Sequence, residues 1–507
     1  MPVIADPESG RRGGASTLTL PPESGRRGRV SSRILLLACL PAVAVGLLIR
    51  VWLMRTSLSA LNADEAVTGL QALEILGGHF RIVVAGNEYG STTETYLLAP
   101  FLAFWTGVGP LRILPIVLSA VAGYALYRLA LPIFGRVPAA ALALIGWTTS
   151  GAMALLFLRA YMGYTTGFIA QVAALALACH AMRTEQKLAR TAVFAGFAAG
   201  FAVWSHPVFG TVALLALIAP TLYRWRALRR WWLPLAAGGV LGVSPWLLFM
   251  AQNGWPESAD PTVLTTYSER LTKFVTELLP RAFGLRTPGG DWVGPDAVAV
   301  GIAALLILSS MVGMVVLVVL KGSQALPILV AGVLAFPILA MFTPLGFVVD
   351  GRYAMPFMPE LLMGLGAWLL LLPERLRDSL WLVVTVPTAW ALMLSVPVVQ
   401  QQVGWEWLDP NADAKQLVSE LERRQIPYIA GDYWGSYLAD YLANGRLKAA
   451  VDLSVRLADE NATVNAADPS QVAYVYYDGV IPHLRMPVDR YQLVNVGPYD
   501  LYVPVGS

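Results

Sequence analysis

The stretch Leu61-Asn62-Ala63-Asp64-Glu65-Ala66-Val67-Thr68-Gly69-Leu70 decides how the rest of the chain is read. It follows the first long apolar run and sets two adjacent carboxylates where that run meets water. Charge at such a depth is costly to keep and marks functional positions. From Glu65 to Leu76 the chain continues as an amphipathic helix: Val67, Leu70, Leu73 and Leu76 form a stripe, with Thr68, Gln71 and Glu74 opposite. Asp64 also reads as an N-cap for that helix, a role that can coexist with chemistry. If both carboxylates faced one pocket, their repulsion would raise the pKa of one of them, as a general base needs.

The chain around this stretch has 507 residues, 56% hydrophobic and 14% charged, with a mean hydropathy of +0.58. Soluble domains carry about a quarter charged residues. Apolar runs of about 20 residues recur along most of the length, enough to cross a bilayer as helices. The expected class is an all-α polytopic membrane protein. The net charge of +3 implies no nucleic-acid partner, because the basic residues sit in short loops between apolar runs. Cys39 and Cys179 both fall inside such runs, so no disulfide framework is expected. Residues 1–33 repeat Pro-Glu-Ser-Gly-Arg-Arg-Gly at Pro7–Gly13 and Pro22–Gly28 and read as a disordered cytoplasmic tail. The apolar run that follows has no clear small-x-small cleavage site before Asp64 and reads as a retained signal anchor.

The expected spans are Ile34–Leu53, Leu111–Leu131, Val137–Phe157, Tyr164–Ala181, Thr191–Trp204, Val208–Leu222, Trp231–Met250, Val298–Leu320, Ala325–Phe342, Ala354–Leu372 and Leu380–Val399. The piece Thr92–Trp105 is apolar but short. Leaving it out puts Arg128/Arg136, Arg183/Lys187/Arg190, Arg224/Arg226/Arg229/Arg230, Lys321 and Arg375/Arg377 on the side of the tail arginines, as the positive-inside rule requires. This choice gives about eleven spans, with the amino terminus inside and the carboxyl terminus outside. The transmembrane domain is then 34–399, with outer loops at 54–110 and 251–297, the first holding two short helices that lie on the membrane. A small loop, Leu158–Gly163, is also outside.

Residues 400–507 read as an outer α/β domain. Ala414–Gln425 and Gly435–Ala443 have helical patterns, the second closed by Asn444-Gly445. Pro427–Ala430, Val472–Tyr477, Tyr491–Val496 and Leu501–Val503 read as short strands. Binding substrate and capping the membrane core are both open roles for this domain.

Several features together resemble the GT-C superfamily of membrane glycosyltransferases, and most closely the branch of protein O-mannosyltransferases and lipid A aminoarabinose transferases. They are the Asp64-Glu65 pair after the first span, a helix ending in Leu76-Gly77-Gly78, and a second short helix before Leu111-Arg112-Ile113-Leu114-Pro115. The loop Asp350-Gly351-Arg352-Tyr353, leading into a Pro-containing span, completes the set. The resemblance covers roughly 34–372. It implies a sugar donor on a polyprenyl phosphate, transfer with inversion at an outward-facing site, and a first carboxylate that acts as general base or helps hold it. It implies integral residence in a plasma or inner membrane, with the active site and carboxy-terminal domain extracytoplasmic. Relatives commonly carry another Asp in the second outer loop, where this chain has Arg159-Ala160-Tyr161-Met162-Gly163-Tyr164. Many have Lys-Pro before the second short helix, where this chain has Asn87-Glu88-Tyr89-Gly90-Ser91-Thr92-Thr93-Glu94.

Direct displacement at a sugar needs one base for the acceptor hydroxyl and cationic stabilisation of the leaving phosphate. Asp64 and Glu65 are the catalytic candidates, with Glu65 supporting its neighbour. Arg352 and Arg159 are candidates for the donor phosphate through bidentate hydrogen bonds, against a reading as interfacial snorkelling arginines. Glu88, Tyr89, Glu94 and His79 are candidates for acceptor binding or support. For Glu88 and Glu94 a divalent metal is a further option and a solvated loop acid the bland one. Lone histidines such as His79 and His206 are more often structural. No metal motif or other cofactor motif is found. Expected partners are the lipid-linked donor, a protein, glycan or lipid acceptor, and membrane lipids. Two rival functions are weighed: a transporter or flippase of lipid-linked saccharides, which would show repeat symmetry and charges buried mid-span, and an envelope-assembly scaffold, in which Asp64→Asn would leave function intact.

Overall fold

The computed structural model describes residues 32–87, 89–149, 151–254, 266–287, 290–341, 351–373, 409–477 and 487–505, with 376, 388 and 389. Helix α1 (Ser32–Leu53) is followed by two short helices, α2 (Ala63–Leu76) and α3 (Thr93–Leu102), and then by the 27-residue α4 (Val108–Phe134). Next come α5 (Arg136–Thr148), α6 (Gly151–Leu156), α7 (Tyr164–Arg183), α8 (Leu188–Ser205), α9 (Pro207–Tyr223) and α10 (Leu233–Asn253). Past the short α11 (Tyr267–Lys273) and α12 (Leu279–Ala282), the bundle continues with α13 (Asp296–Lys321), α14 (Leu326–Met341) and α15 (Met358–Ala367). Five described helical segments have the length and hydropathy of membrane spans: Val108–Phe134, Tyr164–Arg183, Leu188–Ser205, Leu228–Asn253, and Asp296–Met341, which joins α13 and α14. Leu37–Leu53, Pro207–Tyr223 and Met355–Leu371 are shorter apolar helices. The expected span Leu380–Val399 lies outside the described residues.

The sequence predicts one continuous span over Val137–Phe157, and here the structure differs. The helix breaks between α5 and α6, where Thr149 has φ 44°. The run Thr148-Thr149-Ser150-Gly151 explains it, since these residues are poor helix formers. The Thr148 hydroxyl also donates to the Leu144 carbonyl at 2.7 Å. Helix α3 has ten residues, about 15 Å of rise, half of what crossing requires. Its Leu97 and Phe101 and the following Phe104 and Trp105 are exposed. Helices α8 and α10 pack at backbone contact: a Cβ on Gly238 would fall 2.0 Å from the Val193 carbonyl oxygen, the small-residue packing typical of membrane helices.

The carboxy-terminal unit is a five-stranded sheet with helices on both faces. Its elements are α16 (Ala412–Arg423), β1 (Tyr428–Gly431), α17 (Tyr433–Leu442), β2 (Lys448–Val451), α18 (Ala458–Ala466), β3 (Val472–Tyr477), β4 (Tyr491–Val496) and β5 (Tyr499–Pro504). The strand order is β2-β1-β3-β5-β4. β1 runs parallel to β2 and β3, while β5 is antiparallel to β3 and β4. Because successive strand residues face opposite sides, Ala430, Val472, Tyr474 and Tyr476 pack with Val464 of α18. Ile429, Ala473 and Val475 face the other way, into a core with Leu417, Tyr437 and Tyr441.

That second core also contains Ala63, Ala66, Val67 and Leu70 of α2, Leu98 of α3 and Leu111 of α4. The expectation that α2 lies on the membrane is therefore corrected. Val67 and Leu70 of its apolar stripe are buried against the carboxy-terminal unit and α3, Leu73 is half-buried and Leu76 exposed, and Thr68 and Gln71 on its other face are buried as well. Gly69 makes the docking close, since a Cβ there would meet the Tyr441 ring at 2.2 Å. Tyr441 is in turn fixed by its hydroxyl, which donates to the Gly107 carbonyl at 2.8 Å. Helix α2 is thus clamped between two bodies, and its first turn carries the acidic pair.

Candidate active site

The first turn of α2 is set by Asn62. Its side chain accepts from the Glu65 amide at 2.9 Å, and Glu65 Oε2 accepts from the Asn62 amide at 3.3 Å, a reciprocal capping box. The N-cap is Asn62 and not Asp64 as the sequence reading has it, and Asp64 is one residue inside the helix with its carboxylate free of capping. Asn62 Nδ2 also donates to the Tyr161 hydroxyl at 2.9 Å, tying the turn to the loop before α7.

The two carboxylates point to different partners and do not share a pocket. Glu65 is fully buried in an ion pair with Arg112 of α4. Arg112 also donates to the Ser59 carbonyl at 2.9 Å, and the Ala160 amide donates to Glu65 Oε1 at 3.3 Å. Arg159 lies 3.6 Å from Glu65 and donates to the Leu58 carbonyl at 2.7 Å. These contacts set two guanidinium groups against the one Glu65 carboxylate and lock α2, α4 and the 158–161 turn together. Arg159, expected at the donor phosphate, lies beside Glu65 and 5.8 Å from the Tyr161 ring.

Asp64 remains partly open, 17% exposed, with Arg352 Nη1 4.0 Å from Oδ2. The Tyr433 hydroxyl donates to Oδ1 at 2.7 Å. Tyr433 begins α17 directly after β1, and Asp432 caps that helix by accepting from the Trp434 and Gly435 amides. The end of β1 lies beside that of β3, and the connection from β1 runs to β2 on one side while that from β3 runs to β4 on the other, the switch point where open α/β sheets bind ligands. Burial, then the adjacent Asp64 carboxylate, push the Tyr433 phenol well up, so it stays a donor. Arg456 Nε donates to the same hydroxyl at 3.4 Å, and its guanidinium binds the Gly86 carbonyl at 3.1 Å and the Asn87 side chain. Arg352 lies 4.5 Å over the Tyr161 ring and 5.9 Å from that of Tyr164.

Tyr89 joins this group, its ring edge-on to His206 at 5.3 Å. Burial pushes its phenol up, with Arg456 opposing, Asp64 adding and Arg352 opposing. Glu94 is no solvated loop acid. It is buried in the first turn of α3 and accepts from the Thr166 amide at 3.0 Å, joining α3 to α7. Burial raises its carboxyl to about 7, against the hydrogen bonds from Thr166 and Thr165. His79 is exposed past the far end of α2, about 20 Å of helical rise from Asp64, and is not brought to the site. Glu88 lies outside the described residues. Among the described residues no group of three or more His, Cys, Asp or Glu could hold a metal ion.

Sequence reasoning did not find Tyr433, Arg456 and Arg112. Arg112, an arginine just inside an apolar run, carried a signal; Tyr433 and Arg456 come from more than 360 residues away and carried none. Arg352 and, through the Tyr433 hydroxyl, Arg456 are the described cations that border the open Asp64 carboxylate.

No family model and no curated protein matches the sequence. Solved structures do match. ArnT from Cupriavidus metallidurans bound to undecaprenyl phosphate superposes with a TM-score of 0.62 at 14% identity, over 94% of this chain and 99% of that one. The chain has a GT-C fold. Archaeal oligosaccharyltransferase AglB from Archaeoglobus fulgidus, in complex with an inhibitory peptide and a dolichol-phosphate, gives 0.52 at 12% identity, over 87% of this chain and 69% of that one. The GT-C fold thus extends beyond the 34–372 region of the sequence resemblance and takes in the carboxy-terminal sheet.

Proposed function

We propose that the chain transfers a sugar from a polyprenyl-phosphate donor to an acceptor hydroxyl at the extracytoplasmic face of a plasma or inner membrane. The observation that carries this reading is the Asp64 carboxylate, oriented by the Tyr433 hydroxyl at 2.7 Å and faced by Arg352 at 4.0 Å. Two neighbours with this fold were solved with undecaprenyl phosphate and dolichol-phosphate. The proposed topology is the positive-inside one, eleven spans with the acidic pair outside.

In the proposed step Asp64 takes the proton of the acceptor hydroxyl as its oxygen bonds to the anomeric carbon. The bond from that carbon to the phosphate oxygen breaks with inversion, and polyprenyl phosphate leaves with the electron pair. Arg352, with its planar fork of donors, meets the charge that develops on the departing phosphate. Glu65 and Arg112 position α2 and do not touch the reactants. The acceptor approaches beneath the carboxy-terminal unit, where Tyr433 and Arg456 border the site, and is a protein hydroxyl, an envelope glycan or a lipid.

The test is an assay of the purified protein with lipid-linked sugars, both defined polyprenyl-phosphate sugars and the lipid extract of the host membrane. Release of polyprenyl phosphate coupled to sugar transfer is expected. Intact protein that consumes no donor from either source would overturn the reading.

A further inference from the structure

A cavity of about 760 Å³ lies between α4, α7 and α8 at the end of the bundle remote from Asp64. Helix α7 measures the separation: Tyr164 at its start packs near Arg352, and Arg183 at its end lines the cavity. Twenty residues span about 30 Å, the thickness of a bilayer core. By the positive-inside reading this is the cytoplasmic face.

The walls of this cavity are of two kinds. Arg128, Arg183, Lys187 and Arg190 line it, from α4, α7, the turn before α8 and α8. Among the described residues none of the four is paired with a carboxylate, and the acid nearest in sequence, Glu185, is held by Arg224 at 2.8 Å. Leu131, Leu177 and Phe194 form an apolar wall that continues into membrane-spanning helix. A soluble anion would use the cations and leave the apolar wall bare; a neutral lipid would use the wall and leave four cations unanswered.

We infer that this cavity binds an anionic phospholipid of the bilayer, with its phosphate among the four cations and an acyl chain along Leu131, Leu177 and Phe194. A volume of this size is that of a ligand pocket, and basic pockets between membrane helices on the cytoplasmic side suit anionic headgroups. Positive-inside loops alone scatter charge along a face. Here the charge gathers at one cavity with an apolar wall, and the site is independent of the reaction proposed above.

The experiment is native mass spectrometry of the full chain, delipidated in detergent and titrated separately with phosphatidylglycerol, phosphatidylcholine and a polyprenyl phosphate. Wild type is expected to retain phosphatidylglycerol at least about tenfold better than phosphatidylcholine. Lys187→Ala/Arg190→Ala is expected to bind it about thirtyfold less, at about fivefold per surface charge. The pair Arg226→Ala/Arg229→Ala, basic residues of the same face outside the cavity, is expected to bind as wild type does. Equal binding of phosphatidylcholine, or equal losses in the two double variants, would overturn the inference. So would preferential polyprenyl-phosphate binding that disappears in Lys187→Ala/Arg190→Ala, which would give the cavity to that lipid instead.

Discussion

Replacing Arg112 by alanine tests whether the buried ion pair holds the acidic turn in place. In the native protein Glu65 is 0% and Arg112 4% exposed, so water cannot take over the charge left behind. Removing one member of a buried pair costs about 3–5 kcal/mol, because the other stays desolvated and uncompensated. The remaining contacts of Glu65 set where in that range the loss falls. The Asn62 and Ala160 amides still donate at 3.3 Å each, and Arg159 remains 3.6 Å away. The expected cost is therefore near the lower end, about 3 kcal/mol. Glu65→Gln/Arg112→Met removes both charges while keeping volume and the capping acceptor, and is expected to cost less than about 1.5 kcal/mol. Equilibrium unfolding in mixed micelles, followed by tryptophan fluorescence, measures both variants. A single-variant cost below about 1 kcal/mol would refute the reasoning, as would a double variant that loses as much as the single.

Two further outcomes follow from the same geometry. Tyr433→Phe removes one hydrogen bond to a carboxylate, a contact of about 1.5–3 kcal/mol. Turnover is expected to fall about tenfold or more with donor KM little changed; unchanged turnover would show that Tyr433 does not orient Asp64. Glu94 carries a pH signature, since its carboxyl is raised in the fold to about 7. The folded protein then holds a proton that the unfolded chain has lost, so stability falls as pH rises from the ordinary carboxylate range through about 7 and levels off above. Glu94→Gln is expected to remove that slope, by up to about 3 kcal/mol at pH 8, in unfolding midpoints compared at pH 5 and pH 8.

The parts of this protein that were legible in its sequence are those set by local pattern. Hydropathy marked most of the apolar helices, and charge depth marked Asp64. The Asn62-x-x-Glu65 spacing is itself a capping-box signature, so the correct N-cap was also within reach. The strand at Lys448–Val451 went unread because Lys-Ala-Ala-Val holds a single β-former, Val451, and α18 because Ala458–Ala466 has no apolar stripe. What sequence pattern could not show is assembly. The amphipathic stripe of α2 reads equally well as a membrane face or a protein face, and only the docking of Tyr441 on Gly69 decides it. The same docking brings Tyr433 to Asp64 across 369 residues.

The most direct measurement of the central claim is turnover of Asp64→Asn with an active lipid-linked donor. Asparagine keeps the size of the side chain and an acceptor for the Tyr433 hydroxyl, but it cannot take a proton. The account predicts a fall of about a hundredfold or more, with the unfolding midpoint and retention of the donor lipid preserved. An intact variant that turns over at the wild-type rate would contradict it and leave Asp64 a structural residue.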